Sequence, residues 1–247
     1  MGRDIIDMNK DAFWQLIEGA KEQCGRDMAF MARWLEGRLL GMQPEQVLKY
    51  YAVLSGYKET ANKYGLWTAA VLIKEDGCSD DRFIDFRTWL IAQGKEIYMA
   101  ALENPDSLAG IERYGNCEFA SLNYVGYDAY KESTGRSIYQ DCTPEIEKKM
   151  LAEVSKEIRY HPMIEYPLEI PDALIVYPKL GAMFSKTYNA ESYRSHSMWN
   201  TSLPELKELV EKGADKVRKI RMEGGKNREK KKKRDGWVRW SYNPWVS

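Results

Sequence analysis

The chain has 247 residues, 44% of them hydrophobic, which is enough for one sizeable core, and its 37 Lys and Arg balance 37 Asp and Glu. No stretch approaches the roughly 18 to 20 consecutive apolar residues that cross a bilayer, and the acidic start lacks the pattern of a secretory leader, so a soluble, cytoplasmic protein without a membrane partner is expected. Cys24, Cys78, Cys117 and Cys142 lie far apart with no CxxC pair, which argues for free thiols and against a disulfide framework or a structural zinc site.

Taken in chain order, the sequence reads as a succession of helices. Asn9 or Asp11 caps a first one in which Phe13, Leu16, Ile17 and Ala20 share a face. A second runs from Met28 to Leu40 and ends at Gly41. Pro44 suits the first turn of a third, in which Val47, Tyr50, Tyr51 and Leu54 follow at helical spacing and Gly56 marks a kink. A fourth is expected from Glu59 to Lys74. After an acidic turn, Ser79 is a natural N-cap, and Asp80 and Asp81 sit where the helix dipole favours carboxylates. Phe83, Phe86, Leu90, Ile97 and Ala101 then form one stripe, interrupted by Gly94, whose cost in a helix implies close approach by another element. Asn104, Pro105 and Asp106 end that run. Periodicity returns over 119–130 and 144–158, whereas four prolines within 160–179 predict an extended wrap with one short helix at 172–176.

The stretch 66–101, LWTAAVLIKEDGCSDDRFIDFRTWLIAQGKEIYMAA, resembles the core signature of a bacterial family known as domain of unknown function 4240. Phe13-Trp14 near the start and YPKLGAMF, ending at Phe184, extend the resemblance over roughly residues 8–184. It implies a fold neighbourhood and no reaction.

The expected fold is therefore mostly α: a single compact multi-helix domain over residues 1–184 with the Pro-rich wrap, then a basic extension over 185–247. The neutral total conceals a polarised chain, because from Lys186 onward about 16 basic residues face 8 acidic ones, leaving about 21 against 29 before it. Ser202 caps an expected helix over about 203–222. A linker containing Lys230, Lys231, Lys232, Lys233 and Arg234 follows, and Trp237, Trp240 and Trp245 make an aromatic end. Indoles are costly to leave in water, so this end is expected to dock on the acidic body or to stack beside a polyanion.

Catalytic signatures are sparse. The histidines are His161 and His196, and P-loop, GxGxxG and GxSxG patterns are absent. No cofactor or metal is expected from motifs. The candidate binding region is the acidic turn and its helix: Asp81 and Asp85 share a face at i, i+4, Asp80 adjoins them, and Arg87 lies near Trp89. Trp67 and Gln93 complete the set. Most have a structural alternative: capping for Asp80 and Asp81, an ordinary helix-surface pair with Arg82 or Trp89 for Asp85, a buried clamp for Arg87, core packing for Trp67. Cys78, beside the helix start, reads as a capping-loop residue rather than a nucleophile. Two function classes remain. The first is a protein-binding or regulatory module whose partner is another protein or a second copy, with an immunity or defence protein as one form. The second is a metal-assisted hydrolase or nuclease using Asp81 and Asp85, with the tail on nucleic acid.

Overall fold

A computed structural model describes residues 8–74, 77–166 and 170–187. The helix expected over 203–222, the lysine run and the aromatic end, Lys230 to Lys233, Arg234, Trp237, Trp240 and Trp245, lie outside them. Among the described residues the secondary structure is helical with no strand, and no helix is long and apolar enough to cross a membrane.

The first half follows the sequence closely. Helix α1 (Lys10–Cys24) starts where the Asn9 side chain accepts from the amides of Asp11 and Ala12, both at 3.0 Å. Its apolar face buries Phe13, Trp14, Leu16, Ile17 and Ala20. Helix α2 (Met28–Leu40) is capped by Asp27, whose carboxylate accepts from Phe30 N at 2.8 Å. Helix α3 (Pro44–Thr60) opens with Pro44 in its first turn, and Gln43 and Gln46 form a reciprocal cap.

Helix α3 continues through Gly56 without a break in its helical pattern, where a kink was expected. The glycine instead admits α9 (Pro144–Ser155), since a Cβ at position 56 would stand 3.0 Å from Val154. The next helix is also shorter than its periodicity implied: α3 ends at Thr60, and α4 (Tyr64–Ile73) starts only after residues 61–63.

The apolar stripe from Phe83 to Ala101 belongs to two helices, α5 (Asp80–Ala92) and α6 (Lys95–Glu103). The break is Gly94, at φ +93°, where any side chain would meet the Glu18 carboxylate. Glu18 accepts from Lys95 N at 3.1 Å and so caps α6 from α1. This is the close approach that the glycine implied, and it divides the helix.

A 3-10 segment (Pro105–Gly110) and a 3-10 turn (Gly115–Cys117) lead to α7 (Leu122–Thr134) and the short α8 (Ile138–Asp141). The wrap is more helical than its prolines suggested: α10 (Ile170–Val176) is followed by α11 (Pro178–Thr187). Pro178 occupies the first helical position, where its missing N–H costs nothing. The buried Asp106 carboxylate accepts from Lys179 N at 3.2 Å and Leu180 N at 2.9 Å, which supplies the cap. Helix α11 runs to Thr187, past the expected boundary at 184.

Helix α3 is central, packed against α9, α7 and α5, while α2 lies on α7 and α1 on α2. Around it Phe13, Trp14, Tyr57 and Tyr98 form a ring cluster with centroids 4.7 to 5.6 Å apart. All four cysteines are free thiols.

Candidate functional site

Helices α3, α5, α7 and α8 border an open cleft of about 370 Å³ on one side of the bundle. Helix α3 contributes Tyr51, Leu54, Ser55 and Lys58, which recur at helical spacing along one face. Helix α5 contributes Asp81, Ile84 and Asp85, again one face; Ala120, Asn123 and Tyr124 come from the start of α7 and its approach, and Tyr139 from α8.

Asp85 sits where α5 is fastened to the segment before α7. Its carbonyl oxygen accepts from Phe119 N at 2.9 Å, and the buried Thr88 hydroxyl lies 2.9 Å from that oxygen and 2.8 Å from the Phe119 carbonyl. Its carboxylate accepts from Asn123 Nδ2 at 3.2 Å. Burial, then the nearby charge of Glu118, push the Asp85 carboxyl above its ordinary value, and Asp81 adds to this. Lys58 is half-buried in the last turn of α3, and no ion pair or hydrogen bond holds its ammonium among the described residues. Arg87, buried behind it, donates from Nη1 to the Lys58 carbonyl oxygen at 2.9 Å. Burial first, and this guanidinium second, bring the Lys58 ammonium from 10.5 down to about 8, against the opposing charges of Asp85 and Glu59.

At the other flank of α5 the charges are matched. Lys74, whose side chain is 1% exposed, donates to the Asn116 carbonyl at 2.9 Å and pairs with Glu118, which Arg82 Nε also reaches at 2.5 Å. Asn116 and Cys117 adopt φ values of +54° and +55°, an uncommon conformation for residues with a Cβ, and the Lys74 contact pins them there.

Of the residues singled out from sequence, Asp81 and Asp85 line the cleft. Asp80 is exposed in the first turn of α5. Trp67 lies parallel to Phe83, with centroids 5.2 Å apart, and donates from Nε1 to the Cys78 carbonyl at 2.8 Å. Arg87 stands over the Phe83 ring and closes the end of α3, the clamp arrangement, where the helix dipole favours a cation. Trp89 is buried against Phe86 and Tyr114, and Gln93 donates to the Trp89 carbonyl at 3.0 Å and to the Tyr114 hydroxyl at 2.9 Å. The cleft thus receives two of these residues, and the others pack beside or behind it. The sequence reading missed Tyr51, Ser55, Lys58, Asn123, Tyr124 and Tyr139, although the 51, 54, 55, 58 spacing was a signal that α3 presents them on one face.

Among the described residues no group of three or more His, Cys, Asp or Glu is placed to hold a metal ion. The polar groups accompanying Asp81 and Asp85 are instead Ser55, Lys58 and Asn123, of which the lysine repels a cation whenever it is charged. His161 accepts from Met163 N through Nδ1 at 3.2 Å and packs on Tyr177, away from the cleft residues.

Fold and geometry define an all-helical domain with an open cleft bordered by tyrosines. The chain belongs to the family described as protein of unknown function (DUF4240), whose model matches residues 8–132. That span includes every cleft residue except Tyr139, and it stops short of the Phe184 to which the closing motif had extended the resemblance. No curated protein and no solved structure matches the chain.

Proposed function

We propose that the protein is a recognition module that holds a segment of a partner protein in the cleft between α3, α5 and α7. The observation that supports this reading is the border of the cleft, where Tyr124 and Tyr139 are 56% and 57% exposed. Tyrosine offers a large amphipathic contact at low entropic cost, so exposed tyrosines beside polar groups are a common composition for recognition surfaces. Lys58 on one helix and Asp81 and Asp85 on another carry opposite charges, which orient a partner bearing its own charged pair. The reading sets the protein in the bacterial cytoplasm, in keeping with four free thiols. Its concrete form is an inhibitor or regulator of another protein, of the kind found in immunity and defence systems.

The test compares affinity capture by the wild-type chain and the Y124A/Y139A double variant, followed by calorimetry with each purified candidate. A partner that binds the wild type and loses at least tenfold in affinity to the double variant, whose melting temperature is unchanged, is the expected result. Equal binding by both chains overturns the proposal.

A further inference from the structure

A second property of the cleft stands apart from any protein partner and rests on Lys58. A half-buried lysine ordinarily finds a carboxylate, because an unpaired charge withdrawn from water is costly. Here the carboxylates that act on it are otherwise engaged or turned outward: Asp85 is held by Asn123, and Glu59 is exposed. The charged group fixed nearest the Lys58 backbone is another cation, the Arg87 guanidinium on its carbonyl oxygen. The remaining ionisable neighbours are Asp81 on α5 and the phenols of Tyr51, Tyr124 and Tyr139; burial pushes Tyr51 and Tyr139 upward, so these two stay neutral at physiological pH. Lys58 therefore lines the cleft without an ion pair, among tyrosine rings and the carboxylates of Asp81 and Asp85.

We propose that Lys58 is an amine nucleophile that captures a small uncharged aldehyde, preferably aromatic, as an imine in this cleft. The nitrogen lone pair forms a bond to the carbonyl carbon while the carbonyl π pair moves to oxygen, which takes up a proton; nitrogen loses one, giving a carbinolamine. The C–O bond then breaks, the oxygen leaves as water with a second proton, and nitrogen gives up its last proton. The sum is amine plus aldehyde giving imine plus water, so no oxidant or reductant is needed. Asp85, whose carboxyl is raised by burial, is the group in the cleft suited to exchange these protons. With its ammonium at about 8, roughly a quarter of Lys58 is neutral at pH 7.5, against roughly one in a thousand for a lysine at its ordinary value. The preference for a neutral aromatic ligand follows from Asp81 and Asp85, which repel anionic carbonyl compounds, and from Tyr51, Tyr124 and Tyr139, whose rings accept another ring.

The experiment treats the full chain with benzaldehyde or with glyoxylate, traps imines with cyanoborohydride, and locates secondary amines by peptide mass spectrometry between pH 6 and 10. Expected is modification of Lys58 by benzaldehyde at least tenfold faster at pH 7.5 than the median lysine, with a midpoint near 8 and slower reaction with glyoxylate. K58R should remove that adduct alone, and D85N should slow it. Because wild-type protein alone ranks the lysines, the result does not depend on any variant folding. Modification of Lys58 at or below the median rate, or a midpoint above 10, overturns the proposal.

Discussion

Lys58 and Lys74 occupy similar positions in opposite circumstances. Each lies at the C-terminal end of a helix that packs against α5, where a cation suits the helix dipole. Lys74 is closed in by Glu118, the Asn116 carbonyl and the neighbouring Arg82. Lys58 opens onto the cleft without a counterion, with Arg87 behind it. A buried cation with its carboxylate is part of the architecture, whereas one without a carboxylate leaves an interaction for something outside the fold to complete.

The sharpest way to break this comparison is to remove each amine in turn. K74M should cost about 3 kcal/mol, because it strands a carbonyl and half of a buried ion pair, lowering the melting temperature by roughly 6 to 12 °C. Acid should act on the same cluster. Burial alone would raise the Glu118 carboxyl, but the hydrogen bonds from Lys74 and Arg82 outweigh it and hold the group below its ordinary value of 4.5. Its stabilising contribution is thus complete above that value and is lost as pH falls through the lower folded one. Denaturant titrations of wild type and K74M between pH 6 and 3 should converge as this contribution disappears.

Asp106 sharpens the contrast with another engaged charge. D106A removes the acceptor of two amides at the start of α11 and should cost about 2 kcal/mol, read by chemical denaturation, with faster hydrogen exchange in α11 than in α3.

For K58M a gain in stability on the order of 1 kcal/mol is expected at pH 7, because the fold disfavours the charged amine and no pair is broken. The pH dependence has a definite sign. The folded ammonium titrates at about 8 and the unfolded one near 10.5, so between these values the unfolded chain binds more protons and wild-type stability gains from this group as pH rises. K58M should lack that gain, seen as a flatter slope of stability against pH over this window.

The smallest effect belongs to the border of the cleft. Y124A and Y139A should each change stability by about 0.5 kcal/mol or less, because both side chains are mostly in water; a larger loss on thermal melting would make them part of the core rather than of a recognition surface.

What was legible in the sequence was local. The bounds of α2 and the cap at Ser79 followed from residue types whose side chains satisfy nearby amides, and Asn9 was one of two residues suited to cap α1. The shared face of Asp81 and Asp85 followed from helical spacing alone. The division of α5 from α6 was hidden because the apolar stripe continues across Gly94 and the group that caps α6, Glu18, comes from α1. Gly56 misled for the same reason, its partner being Val154 nearly a hundred residues away. The cleft was illegible beyond its aspartates because Lys58, Asn123, Tyr124 and Tyr139 meet only when α3, α7 and α8 pack. Nothing in the local pattern around Lys58 distinguishes it from Lys74; the difference is made by Glu118, Arg82 and Arg87.

The most direct measurement is a carbon-13 NMR titration of the lysine ε-methylene groups in the intact chain, with the Lys58 signal assigned through K58R. The account predicts a Lys58 midpoint near 8, well below the ordinary 10.5 of an amine in water. A midpoint at 10 or above would mean that Lys58 is a solvated or paired ammonium, and the contrast between the two lysines would be lost.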